Sequence, residues 1–199
     1  MNHFAPIAHL DTFDLVGSLR NRMALFDKIK IRQETPGSAH THTRSIFLRG
    51  PENPNTQNWF EDVPQIDYQP LAGWKEAIRF SGILGAALTT RLPVQIDPLH
   101  RGKAMIVELA PGSAVDWHRD EGAYARVHRR FHLPLVTNPG CFLFSGGEYA
   151  QLPVGALTWF DNHALHSAVN FGQYPRVHLI VDYRIAPPAT EASAKDTEE

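Results

Sequence analysis

Lys103-Ala-Met-Ile-Val-Glu-Leu-Ala-Pro-Gly-Ser-Ala-Val-Asp-Trp-His118 decides the fold class. Ala104 to Leu109 and Ala114 to His118 are short runs of strand-forming residues, and Pro111-Gly112 between them is a turn signal. The alternation of run and turn continues to Arg184. Further runs are Val127 to Val136, Cys141 to Ser145, Ala156 to Phe160, Leu165 to Val169 and Arg176 to Tyr183. They are separated by Asn138-Pro-Gly140, Gly146-Gly147, Pro153-Val-Gly155 and Asn170-Phe-Gly172. Strands at roughly ten-residue spacing predict an all-β sandwich or barrel.

Upstream the character differs. From Asp11 to about Lys28, apolar Phe13, Leu15, Val16, Leu19, Met23, Leu25 and Phe26 recur with helical spacing, and one amphipathic helix is expected despite Gly17. Lys30, Ile31 and Arg32 suggest a short strand, and Arg44 to Arg49 a second. Gly50 to Pro70 is rich in Pro, Asn and Asp and reads as a long loop, of a kind that is functional or mobile in compact domains. Trp74 to about Thr89 reads as a second helix. Residues 1–186 form a single domain in this reading, and the small, polar tail of 187–199 is expected to be disordered.

Composition narrows the partners. Lys plus Arg (19) and Asp plus Glu (21) nearly cancel, so the net charge of -2 offers no footprint for nucleic acid or an anionic membrane. The longest apolar runs are far too short for a membrane span, and no signal-like start is present. A single cysteine, Cys141, rules out an internal disulfide framework and a cysteine-rich zinc site. A cytoplasmic protein acting on a small or protein-like partner is expected.

Eleven histidines raise the question of a metal, and spacing answers it. His118 and Asp120 are two apart, so on a strand both side chains leave the same face. His166 opens a later apolar strand that a barrel would bring alongside. Two imidazoles and one carboxylate with open positions suit non-haem Fe(II), although zinc accepts the same ligands. Arg176 favours iron. If Leu165 to Val169 and Arg176 to Tyr183 form a hairpin about Phe171, residues 166 and 176 face each other. A guanidinium beside a divalent cation needs an anion between them. Fe(II) with one aspartate carries +1, a 2-oxoglutarate dianion brings the group to -1, and Arg176 returns it to zero. On Arg126-Val-His-Arg-Arg-Phe-His-Leu-Pro-Leu135, residues Arg126, His128, Arg130 and His132 share one face and the apolar residues the other. A solvated basic face explains that pattern, and so does an anion-binding barrel interior.

Four segments together resemble the aspartyl/asparaginyl β-hydroxylase branch of the Fe(II)/2-oxoglutarate oxygenases. They are Pro111-Gly-Ser-Ala-Val-Asp-Trp-His118, Arg130-Phe-His-Leu-Pro-Leu135, and Trp159-Phe-Asp-Asn-His-Ala-Leu-His-Ser-Ala-Val-Asn170 with Arg176-Val-His-Leu-Ile-Val-Asp182. The resemblance spans about residues 103 to 184. It implies a mainly β, double-stranded β-helix (a cupin-like jelly roll) with the N-terminal helices packed on it. It implies metal at His118 and His166, and 2-oxoglutarate contacts from Arg130, His132 and Arg176. Animal aspartyl hydroxylase has glycine where Asp120 stands, so this chain resembles the bacterial members with a complete facial triad. The carboxylate also argues against the related halogenases, which leave that position open for chloride.

The expected activity is an Fe(II)/2-oxoglutarate-dependent dioxygenase that hydroxylates an unactivated C–H bond of an amino-acid-like substrate, either a free amino acid or an Asp/Asn-type residue of a peptide, with dioxygen. The substrate rim is expected from the Gly50 to Pro70 loop and from Arg119 to Arg126, with Arg119, Tyr124 and Arg126 as donors. A cupin-like metal isomerase or hydrolase, or a non-catalytic 2-oxoglutarate sensor, is the alternative. His163 and Asn162 are read as turn or supporting groups, Glu148 as a turn residue, Cys141 as core, and Trp59 and Trp74 as packing aromatics. His40, His42 and Arg44 are not expected as ligands.

Overall fold

The computed structural model describes residues 2–51, 69–70, 96–185 and, between the last two, positions 74, 75, 77, 80 and 84. Eleven strands run through it. They are β1 (Phe4–His9), β2 (Thr43–Gly50), β3 (Gln69–Pro70), β4 (Ile96–Leu109), β5 (Ser113–His118), β6 (His128–Val136), β7 (Cys141–Ser145), β8 (Glu148–Ala150), β9 (Ala156–Phe160), β10 (His166–Asn170) and β11 (Arg176–Ile185). They form a seven-stranded sheet, β1-β9-β6-β11-β4-β2-β3, and a four-stranded sheet, β5-β10-β7-β8. The helices α1 (Phe13–Leu19), α2 (Ile31–Glu34) and α3 (Gly122–Val127) are short.

Side-chain alternation explains how the large sheet is used. On β11, Val177, Leu179, Val181 and Tyr183 join Phe131, Leu133 and Leu135 of β6 and Ala104 and Ile106 of β4 in one core. Leu15, Leu19 and Phe26 of the N-terminal region cover that face. Each fully buried Leu or Phe there stabilises the domain by roughly 1.5–3 kcal/mol. The opposite face carries Lys103, Met105, Arg130, His132, Arg176, His178 and Asp182, because a period of two leaves them no other side. Leu109 and Phe160 of the large sheet meet Val115, Leu143 and Ala168 of the small one, so the two sheets close over this second face. The basic side of β6 therefore lines a barrel interior. Gly146 and Gly147, with φ of 58° and 89°, make the tight turn that returns β7 to β8.

Several expectations change. The expected single helix is split. α1 ends at Leu19, and Arg20–Asp27 is a 3-10 segment kinked at Arg22. Lys30 to Arg32 is no strand. Ile31–Glu34 is a helical turn, and Ile29 and Ile31 pack on Phe47, Met105, Val107 and Ile180. The expected strand beginning at Val127 starts at His128, since Gly122–Val127 is helical and carries Arg126 outward.

The hairpin of β10 with β11 does not exist. Both edges of β10 are already taken, by β5 and β7, while β11 lies between β4 and β6 in the other sheet. Asn170 turns the chain across. Its Nδ2 donates to the carbonyls of Leu109, Ala110 and Tyr174, and its Oδ1 accepts from the Gly172 amide. Residue 176 consequently pairs with Leu109, and His166 with His118 and Ser145.

Of the expected helix from Trp74, the described positions 75, 77, 80 and 84 are helical, while most of the Gly50 to Pro70 loop, Trp59 and the tail lie outside the described residues. Among the described residues no helix is long and apolar enough to cross a membrane.

Candidate active site

His118 ends β5 and His166 begins β10, and the two are register partners, which brings their rings to 4.1 Å between centroids. Asp120 follows two residues after His118, and its amide donates to the carbonyl of Asn162 at 3.0 Å. One ligand-type atom from each of His118, Asp120 and His166 lies within 4.8 Å of the other two.

The histidines are held in the orientation a metal requires. His118 Nδ1 is 2.7 Å from the Asp116 carbonyl and His166 Nδ1 is 3.0 Å from that of Ala164. A carbonyl only accepts, so each Nδ1 carries the proton and each Nε2 keeps a free lone pair. Nε2 of His118 is buried with no hydrogen-bond partner. Burial, followed by the opposing pull of Asp120, leaves His166 pushed down to about 4, so it is neutral at physiological pH.

Asp120 is shared by three groups. Its Oδ2 accepts from Arg130 Nη1 at 2.5 Å and from Asn162 Nδ2 at 2.9 Å, and its Oδ1 is 3.6 Å from His118 Nε2. Burial alone would push its carboxyl up. Arg130, then His166, the Asn162 hydrogen bond and His118 outweigh burial and hold it well below the usual carboxylate range. Arg130 is in turn fixed by Asp182, with Nε donating to Oδ1 and Nη2 to Oδ2, each at 2.9 Å. Tyr124 donates its hydroxyl proton to Asp182 at 3.0 Å while accepting from the Lys103 amide at 2.8 Å. Gly102 permits that approach, because a Cβ there would overlap the Tyr124 hydroxyl.

Deeper in the barrel, a row of inward residues leads from the triad to Arg176. His166 packs on Phe160, Phe160 on His132, and His132 Nδ1 lies 3.2 Å from His178 Nδ1. Arg176 Nη2 is 3.1 Å from that same nitrogen. An arginine only donates, so His178 Nδ1 accepts, and its Nε2 then carries a proton with no partner. Among the described residues no carboxylate pairs with Arg176, although it is 4% exposed. Burial pushes its guanidinium down to about 10, which leaves it cationic at neutral pH.

A cavity of about 420 Å³ opens beside the triad. His118, Asp120, Asn162 and Arg130 border it, with Tyr124 and Arg119 among the residues expected there. Arg119 also donates to the His163 carbonyl at 2.9 Å. Arg126 does not line the cavity: it sits on the exposed side of α3. Arg32, Lys103 and His40 do line it; the first two were not singled out from the sequence, and His40 was set aside there as a ligand. His40 stands edge-on to His118 at 4.9 Å with Nδ1 unpartnered. Arg44 is an ion-pair residue, 2.8 Å from Glu108.

The family model of aspartyl/asparaginyl beta-hydroxylases matches residues 73–185, the stretch that supplies all three triad residues, Arg130, His132 and Arg176. The chain belongs to the aspartyl/asparaginyl β-hydroxylase family. Within curated proteins, a match to this hydroxylase-family chain is the L-proline cis-4-hydroxylase of Rhizobium meliloti (strain 1021), 30% identical over 78 residues, 39% of this chain. The matched region is 28% of that protein's length. The fold is that of a Pseudomonas putida prolyl-4-hydroxylase (TM-score 0.53, 16% identity, 94% of this chain and 95% of that one). It is also that of the non-heme monooxygenase ThoJ in a nickel complex (TM-score 0.53, 12% identity, 92% and 74%).

Proposed function

We propose that this family member is an Fe(II)- and 2-oxoglutarate-dependent dioxygenase that hydroxylates an unactivated C–H bond of an amino-acid-like substrate. One observation carries the reading: His118, Asp120 and His166 converge within 4.8 Å, with both imidazoles tautomerically fixed, beside a cavity that His118 and Asp120 line. Two histidines and one carboxylate on one side of a metal leave positions for a co-substrate and dioxygen. When bound, Fe(II) and 2-oxoglutarate supply the oxidising power for C–H hydroxylation, with succinate and carbon dioxide as co-products.

The residues of the chain do the rest. Asn162 and Arg130 orient Asp120, and Asp182 holds Arg130 in place. Arg176, buried without a carboxylate, suits the distal carboxylate of 2-oxoglutarate, and His132 and His178 line the way to it. The missing hairpin alters the geometry of this assignment but not its chemistry. β10 runs five residues from His166 to Asn170, four steps or roughly 13 Å, before the chain crosses to Arg176. A co-substrate held at both ends would have to reach from the triad to Arg176 along the barrel, past His132 and His178, and not between opposed strand residues. Arg130 is already neutralised by two carboxylates, so its part is to position Asp120, and the 2-oxoglutarate contact expected of it falls to Arg176.

The buried Arg176 disfavours a cupin-like isomerase or hydrolase, which has no anion to give it, and the intact triad disfavours a mere 2-oxoglutarate sensor. The relative acting on L-proline supports a free amino acid over a polypeptide. A cytoplasmic location rests on the lone Cys141, buried in β7. The test is succinate formation from Fe(II), 2-oxoglutarate and dioxygen across free amino acids and short peptides. Stimulated succinate with a product gaining one oxygen is expected; metal-dependent isomerisation or hydrolysis with no succinate overturns the reading.

A further inference from the structure

Besides Arg119 and Arg130, the cavity beside the triad is lined by a guanidinium that the oxygenase chemistry leaves without a role, that of Arg32. Ile31 and Ile29 fasten α2 to the inner-face cluster of Phe47, Met105, Val107 and Ile180, and this anchoring sets Arg32 into the cavity wall. The segment after it is tied down locally. Thr35 Oγ1 donates to the Ile31 carbonyl at 2.6 Å, Ser38 Oγ donates to the Arg32 carbonyl, and the Ala39 carbonyl accepts from the Asp116 amide at 3.0 Å.

Arg32 makes two contacts, both through Nη1: to the Ser45 hydroxyl and to Met105 Sδ, each at 3.3 Å. A hydroxyl and a thioether are weak partners for a cation. Nε and Nη2, the two donors that grip a carboxylate side by side, have no partner among the described residues. Asp120 and Asp182 pull on Arg32 through space, but Arg130 holds both of them. Burial, then Arg130, pushes Arg32 down to about 10, so the guanidinium remains charged at neutral pH. A half-buried guanidinium whose Nε and Nη2 are unengaged presents that edge to an anion entering the cavity.

We propose that the Nε/Nη2 edge of Arg32 is the seat for the substrate's carboxylate, with the hydrocarbon part of the substrate lying on Phe47 and Met105 and its reacting C–H beside His118 and Asp120. Both apolar side chains line the same cavity. Its volume of about 420 Å³ lies at the small end of ligand pockets, which suits one amino acid. Arg176 and Arg32 then serve two anions: Arg176 takes the co-substrate from the barrel interior, and Arg32 takes the substrate from the mouth.

The assignment rests on the oxygenase reading, and binding separates the two. Anaerobic Fe(II) holoprotein with saturating 2-oxoglutarate is titrated calorimetrically with free L-amino acids, L-proline included, and with their primary amides. At least one free amino acid should bind, with its amide roughly 30-fold or more weaker. Arg32→Gln should weaken the acid by a similar factor while leaving the amide unchanged, and Arg32→Lys, which keeps charge but not the fork, should recover part. The lysine variant also keeps the test open if the glutamine variant folds poorly by circular dichroism. An Arg32→Gln protein that retains its preference for acid over amide overturns the assignment. So does a loss confined to 2-oxoglutarate affinity, or a wild type that binds only amides or neutral compounds. If the acid preference depends on Arg32 but no succinate forms under oxygen, the carboxylate seat stands and the oxygenase reading falls.

Discussion

Replacing Asp182 by Asn tests whether the inner face of the large sheet is organised around one shared arginine. Asp182 is 2% exposed and holds Arg130 through two 2.9 Å hydrogen bonds, with Tyr124 donating a third. Asn has the same shape but no charge, and it turns one acceptor into a donor facing a guanidinium N–H. Breaking a buried pair costs about 3–5 kcal/mol because it strands the other ion. Arg130 keeps Asp120, so the lower end, about 3 kcal/mol, applies. For a domain of this size that lowers the melting temperature by about 6–12 °C. Asp120 becomes the sole counter-ion of Arg130, and metal affinity should fall as well, because the same carboxylate oxygens are contested. Thermal unfolding by circular dichroism of the Asp182→Asn, Arg130→Gln and doubly substituted proteins gives the coupling energy. A drop under about 2 °C with additive single effects would show that Arg130 is not shared in this way.

Further outcomes follow from the same geometry. His118→Ala, Asp120→Ala and His166→Ala should each abolish turnover and tight Fe(II) binding while keeping the native circular dichroism; a variant with normal metal binding and succinate release removes that residue from the triad. Asn162→Ala removes one of the two hydrogen bonds to Asp120 Oδ2 and should weaken metal binding by about 10-fold, read by anaerobic titration. Arg176→Ala should raise the 2-oxoglutarate dissociation constant by an amount on the order of 2–5 kcal/mol, with Arg176→Lys between it and wild type, measured on the metal-to-ligand absorption band. Acid should unfold the metal-free protein early. The folded form of His166 is pushed down to about 4 while the unfolded imidazole titrates near 6.5, so stability present above about pH 6.5 is lost as pH falls toward 4. His166 alone accounts for about 3 kcal/mol of that loss, and buried His132 and His178, held low by burial and then Arg176, add to it. A flat melting temperature between pH 7 and 4.5 would contradict this.

Much of the fold was legible because strands advertise themselves by alternation. β7 and β9 begin and end where the sequence pattern places them. β1 was hidden by Pro6, which argues against a central strand but is tolerated on the edge of a sheet, where β1 lies. The H-x-D pair and the later His166 could be read from strand periodicity together with a family resemblance. The register of β10 was not legible. Sequence neighbours suggest a hairpin, whereas Asn170 satisfies the crossover backbone with its own side chain and sends β11 to the other sheet. Arg32, His40 and Lys103 left no periodic signal, since they meet the triad only through long-range closure of the cavity. Arg126 was misplaced because alternation was extended one helix too far.

The central claim is that His118, Asp120 and His166 hold Fe(II) for a 2-oxoglutarate-dependent hydroxylation. Turnover of the iron-loaded protein under ¹⁸O₂, with 2-oxoglutarate and the amino acid selected by binding, tests it most directly. The account predicts one ¹⁸O in succinate and one in the hydroxylated product, in equal amounts, and neither in the Asp120→Ala protein. Product formed without succinate, or succinate free of ¹⁸O, would contradict it.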